Sequence, residues 1–149
     1  MATWVKLAAG LSLFWAVGAQ AADRSPEQVV KDHVASMKTG NVDAVMRDYA
    51  PNTVVITPPG LVPTQKPATG PGVYSGITNA RKVFVVLTGK GSIAGIRAME
   101  TTVEPLGGDV ALLHWVQFRG TPQQVSGTDV FVVRRGKVLV QDIIVDAAH

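Results

Sequence analysis

The 149-residue chain has no cysteine. That absence excludes thiol catalysis, thiolate metal sites, disulfides and dithiol redox chemistry together. Charge is sparse as well: 17% of residues are Asp, Glu, Lys or Arg, and the net charge is only +3. Binding a phosphate backbone needs a clustered basic face. The one basic cluster, Arg134-Arg135-Gly136-Lys137, falls at a turn, so nucleic acid is not an expected partner. Histidine occurs only as His33, His114 and His149. No two share the spacing that places metal ligands on one element, so neither a metal nor a cofactor is expected. The glycines of TGPGVYSG lack the lysine and the spacing of a phosphate-binding loop. No serine stands in a nucleophile elbow.

Long apolar runs are also few, and the clearest lies at the start. MATWVK carries one lysine, LAAGLSLFWAVGA is uncharged and apolar, and Ala19-Gln20-Ala21 follows. A charged start, an apolar run and an A-x-A site together make a secretory signal peptide. The run falls short of the roughly 20 residues that span a bilayer. Residues 1–21 are therefore expected to be cleaved, leaving a domain over 22–149 that is periplasmic or secreted and has no membrane contact. Loss of Lys6 leaves 13 Lys and Arg against 11 Asp and Glu, a net charge of +2. Without cysteine, an exported domain must rely on its core rather than on disulfides. Its length suits one domain, and an apolar content of 46% excludes a disordered chain.

Ser25-Pro26-Glu27-Gln28 is a helix start, with Ser25 as cap and Pro26 at the first helical position. Val29, Val30, His33, Val34 and Met37 recur at helical spacing, and Gly40 ends the helix. Asn41 caps a second helix with Val42, Val45, Met46 and Tyr49 on one face. Asn52–Thr57 is β-branched and reads as a strand. Pro58–Gly76 is rich in proline and glycine and predicts a long irregular loop, functional or mobile. A third helix is expected over Ile77–Thr88, then strands over Ala94–Glu104, Val110–Phe118, Val125–Arg134 and Lys137–Asp146. The order predicts an α+β fold, three helices packed on a curved antiparallel sheet.

In TDVFVVRRGKVLVQ, strand alternation puts Asp129 on the face of Phe131 and Val133. An acid heads an otherwise dry row. Trp115 and Gln117 share a face with Ala111 and Leu113, and Gln141 leads a row with Ile143 and Val145. His114, Val116 and Phe118 occupy the opposite face of their strand. Both faces being largely apolar, a second copy of the chain is expected to cover the outer one as a homodimer.

The stretch VVKDHVASMKTGNVDAVMRDYAPNTVVITPPG, a helix, and then GTDVFVVRRGKVLVQDIIVD resembles the nuclear transport factor 2-like superfamily, SnoaL-like branch. The resemblance runs from about Ser25 to Asp146. It implies a cone-shaped fold with an apolar cavity between helices and sheet, and often a dimer through the outer sheet face. The superfamily holds isomerases, cyclases, hydrolases, dehydratases and members without catalysis, so the fold does not fix the activity. Matched to the ketosteroid isomerase branch, His33 stands at the donor tyrosine, Thr57 at the general base, Tyr49 at a supporting tyrosine, Phe84 at a third tyrosine and Asp129 at the oxyanion-hole aspartate. The base is missing, because threonine cannot abstract a carbon-bound proton unaided.

Each residue also has a plainer role. Asp129 either enters the cavity, held protonated by apolar surroundings, or caps a strand end. His33 either exchanges protons or is a satisfied helix residue. Tyr49 either supports the site or packs in the core. Gln117 and Gln141 either orient a ligand or lie at the wet mouth. Two functions stay open: an exported module binding a hydrophobic small molecule in an apolar cavity, or an isomerase, cyclase or dehydratase-type enzyme on a hydrophobic carbonyl substrate using His33 and Asp129. The expected site is His33, Asp129 and Tyr49, with Thr57, Phe84, Trp115, Gln117, Phe131, Gln141 and Ile143 around the ligand.

Overall fold

A computed structural model describes residues 23–63 and 70–146. The expected signal peptide, the middle of the proline-rich loop and His149 lie outside them. Helix α1 spans Pro26–Thr39, with the Ser25 hydroxyl accepting from the Gln28 N–H and Gly40 closing the end at φ 77°. Its buried side chains are Val29, Val30, His33, Val34 and Met37, the apolar stripe of the sequence. Helix α2, Val42–Met46, is capped by the Asn41 side chain accepting from the Ala44 N–H.

The second helix ends earlier than expected. Tyr49 opens strand β1, Tyr49–Thr57, instead of riding on α2. The cause is tertiary: Tyr49 pairs with Val138, whose N–H donates to the Asp48 carbonyl, and strand pairing takes the chain before the helix can turn again. The proline-rich segment also holds more order than its composition suggests. Gly72–Ser75 forms β2, antiparallel to the end of β1.

Helix α3 covers Ile77–Leu87. A fourth helix, α4, covers Ile93–Arg97 where a strand was expected, so there are four helices and not three among the described residues. Ile93 and Ile96 sit three apart, and α4 buries Ile96 against the core. A short apolar run fits either period, and packing decides. Strands β3 (Glu100–Gly107), β4 (Val110–Gln117), β5 (Val125–Arg134) and β6 (Lys137–Val145) follow. The β5–β6 turn has positive φ at both Arg135 and Gly136, the handedness that suits a two-residue hairpin.

The six strands lie in the order β2-β1-β6-β5-β4-β3. All neighbours are antiparallel except β1 and β6, which run parallel, so the sheet is not wholly antiparallel. The helices cover one face, and Val29, Val45, Val83, Phe84, Leu113 and Phe131 are among the side chains buried between.

Candidate functional site

Between α1, α3, α4 and the inner faces of β4, β5 and β6 lies a cavity of about 330 Å³. Its walls are mostly apolar, with Val34, Met37, Leu113 and Ile143 among them. Half-exposed Phe118, Val125 and Val145 stand at the mouth. Register orders the wall. Val125 faces Gln117, Gly127 faces Trp115, Asp129 faces Leu113 and Ile143, and Phe131 faces Ala111 and Gln141. Phe131 is fully buried one step past Asp129.

At the inner end five side chains form one hydrogen-bonded chain. Trp115 Nε1 donates to Asp129 Oδ1 at 2.8 Å, and Gln141 Nε2 donates to Asp129 Oδ2 at 2.7 Å. The Tyr49 hydroxyl donates to Gln141 Oε1. His33 Nδ1 lies 3.3 Å from the Tyr49 oxygen. His33, Tyr49, Asp129, Gln141 and Trp115 are all more than nine-tenths buried. Five sites far apart in sequence thus meet from α1, β1, β4, β5 and β6.

Burial sets the electrostatics. The His33 ring packs edge-on against Tyr49, Phe84 and Phe131, with centroids 5.4 to 5.6 Å away. That apolar cage disfavours the imidazolium and pushes the pKa down to about 3. His33 is therefore neutral at physiological pH. Burial pushes the Asp129 carboxyl up to about 7, against the pull of the Trp115 and Gln141 hydrogen bonds. Burial, with the nearby Asp129 charge, holds Tyr49 well above the usual phenol range. Of the five hydrogen-bonded side chains, only Asp129 titrates near neutrality.

No family model and no curated protein matches the chain. Solved structures match at the level of shape. An NTF2-like protein from Burkholderia xenovorans is 13% identical, covers 83% of this chain and 84% of its own, and superposes at a TM-score of 0.62. IdmH, a candidate polyketide cyclase from Streptomyces antibioticus, is 17% identical over 83% of this chain and 93% of its own, with a TM-score of 0.58. TerC, crystallised with polyporic acid, is 15% identical over 82% and 92%, also at 0.58. The chain has the NTF2-like fold.

In this NTF2-like cone the residues singled out from sequence divide into two groups. His33, Phe84, Trp115, Gln117, Asp129, Gln141 and Ile143 line the cavity. Tyr49, Thr57 and Phe131 do not. Tyr49 stands behind Gln141 and His33, and Phe131 backs the histidine ring. Thr57 is buried at the end of β1, where its hydroxyl donates to the Pro58 carbonyl. Phe118 leaves the outer face to which strand alternation assigned it. Its φ of 51° breaks the strand and brings it onto the cavity wall.

Two glycines shape the site and were not singled out from sequence. A Cβ on Gly127 would overlap both the Trp115 indole and the Ile144 carbonyl. The bare backbone lets the indole lie across β5 and reach Asp129, two residues along. On α4, a Cβ at Gly95 would overlap the Gln117 amide. A glycine inside a strand is itself a sign of close approach, and Gly127 carried that sign.

Proposed function

We propose that the chain is an exported small-molecule-binding domain whose cavity takes a hydrophobic ligand and orients it by one polar end. The observation that carries this is the cavity itself: an apolar wall ending in His33, Gln141 and Asp129, with every buried polar side-chain atom of the described residues already hydrogen-bonded. Its volume falls within the range of small-molecule sites. A cavity polar at one end fixes direction, and the apolar wall supplies affinity. The polyketide and polyporic acid named for two neighbours of the same fold are molecules of a fitting kind. Export is supported by the charged, apolar and A-x-A segments of residues 1–21.

Pairing with a second copy is supported by the outer face of the sheet. There Leu112, Val130, Val132 and Val140 are cross-strand neighbours and only half-buried. The other end of that face is polar: His114 is hydrogen-bonded with Thr128 and Glu104. A homodimer would use the apolar end.

Native mass spectrometry of the protein purified from the export compartment of its host tests these together. The expected result is a dimer of chains beginning at Ala22, carrying a small apolar molecule. Ala94→Trp, which adds bulk at the cavity wall, should remove that molecule and leave the dimer. A bare protein whose melting temperature no hydrophobic probe raises would overturn the binding reading.

A second reading rests on Asp129. A carboxyl held near neutrality is matched to proton exchange, whereas an imidazole pushed down to about 3 makes a weak base. If the domain is an isomerase, cyclase or dehydratase-type enzyme on a hydrophobic carbonyl substrate, Asp129 is the proton-exchanging group and His33 positions the substrate. Turnover of a retained ligand that Asp129→Asn abolishes without loss of binding would favour this reading over the first.

A further inference from the structure

The five-residue chain has a direction, and the direction can be read from its ends. Tryptophan Nε1–H can only donate, so the Trp115 bond fixes one Asp129 oxygen as acceptor. Above about pH 7 the Asp129 carboxylate is ionised and only accepts, so the Gln141 amide turns its NH₂ towards Asp129 Oδ2. That leaves Gln141 Oε1 to accept from the Tyr49 hydroxyl. With its proton committed to Gln141, the Tyr49 oxygen accepts from His33 Nδ1–H. A neutral imidazole carries one proton, so Nε2 is a bare lone pair. Nε2 has no hydrogen-bond partner among the described residues, and His33 lines the cavity.

We infer that the cavity selects uncharged hydrophobic molecules bearing a hydroxyl or N–H donor, which they present to His33 Nε2, and that Asp129 sets this preference from three hydrogen bonds away. This inference rests on the binding reading above. The inner end of the cavity offers acceptors, a histidine lone pair and a carboxylate. A ligand carboxylate would meet like charge, and a ketone or ether oxygen would meet a lone pair. A hydroxyl meets a partner. Asp129 acts here as a positioning residue, because its acceptor character propagates through Gln141 and Tyr49 to the histidine tautomer.

The same logic makes Asp129→Asn informative. Asparagine still accepts from Trp115, but its NH₂ must now face Gln141. The Gln141 amide turns over, its NH₂ donates to the Tyr49 oxygen, and the Tyr49 hydroxyl donates to His33 Nδ1. His33 then carries its proton on Nε2, and the cavity presents a donor. A near-isosteric change three hydrogen bonds away reverses what the ligand meets.

The test uses a naphthol and the matching naphthyl methyl ketone as probes, at about pH 8, where Asp129 is ionised. The wild-type protein should bind the naphthol more tightly by roughly fivefold, the size of one net hydrogen bond. In Asp129→Asn the ratio should move towards the ketone by about tenfold. Nitrogen NMR of the imidazole ring should find the His33 proton on Nδ1 in the wild type and on Nε2 in the variant. This readout needs no ligand, and a merely structural Asp129 would not move it. Equal binding of both probes, or a wild-type proton on Nε2, overturns the inference and leaves the binding reading standing. Binding of neither probe overturns both.

Discussion

At the residue scale, two buried groups are shifted in opposite directions, and their effects on stability oppose each other. The folded Asp129 keeps a proton up to about pH 7, whereas an unfolded aspartate releases it near pH 4. Across that window the folded state binds more protons, so this group's contribution falls as pH rises. The folded His33 refuses a proton down to about pH 3, whereas an unfolded histidine takes one near pH 6.5. There the unfolded state binds more protons, so stability rises with pH. In the wild type the two slopes cancel over the overlap. His33→Gln should leave a stability that falls with rising pH between about pH 4 and 6.5, by up to about 1.4 kcal/mol per unit. Asp129→Asn should give a rise of similar slope. Asp48, also pushed up by burial, adds the Asp129 sign in all three proteins. Urea midpoints measured across this range check the prediction, and parallel profiles would refute it. Sequence alternation placed Asp129, Gln141 and Trp115 each in an apolar row of its own strand, and strand pairing brought the three rows onto one face. Alternation could not place Tyr49 beside them, because that contact joins residues 92 positions apart.

At the element scale, β5 does two jobs with one face. Its inward positions alternate Gly127, Asp129, Phe131 and Val133, all buried. The empty place at Gly127 admits the Trp115 indole, which in turn satisfies Asp129. Gly127→Ala should cost about 3 kcal/mol, because its Cβ meets a backbone carbonyl that cannot yield as well as the indole. Near-UV circular dichroism should change as the indole is displaced, and urea denaturation gives the cost. An unchanged near-UV spectrum would show that the indole does not need the gap. Elements with a strong local signal follow the sequence closely: α1, from its Ser25 cap to Gly40, and β4 to β6, from their alternation. The elements that differ are short. Helix α2 yields Tyr49 to a strand, and α4 forms where a strand was expected, because a few residues carry too little periodicity to outweigh packing.

At the scale of the whole molecule, the start of the described chain is tied to three distant places. Arg24 donates to Asp32 at 2.7 Å, to Asp48 at 2.8 Å and to the Gly136 carbonyl at 3.0 Å. It thereby joins α1, the α2–β1 junction and the β5–β6 turn. Asp48 is buried and Asp32 is not, so the two bonds differ in weight. Arg24→Ala should cost about 2 kcal/mol, less than for a fully buried pair because the Arg24 side chain is about one-third exposed. Asp32→Asn should cost under about 0.5 kcal/mol. Equal losses in the two variants, measured by urea unfolding, would show that Arg24 does not serve the buried carboxylate. Arg24 lies three residues past the expected cleavage site, so cleavage beyond it would give a chain with the same weakness.

The sequence by itself determined the α+β class, the apolar faces and the single acid on a dry row, because helical and strand periodicities are local and repeat often enough to be read. It also determined the absence of thiol chemistry. Only the tertiary structure decided the parallel pairing of β1 with β6, the escape of Phe118 to the cavity wall and the five-member hydrogen-bonded chain. Each depends on which distant residues meet and on which side of a donor–acceptor pair each must take. That information enters only when the sheet closes around the cavity and water no longer satisfies each polar group separately.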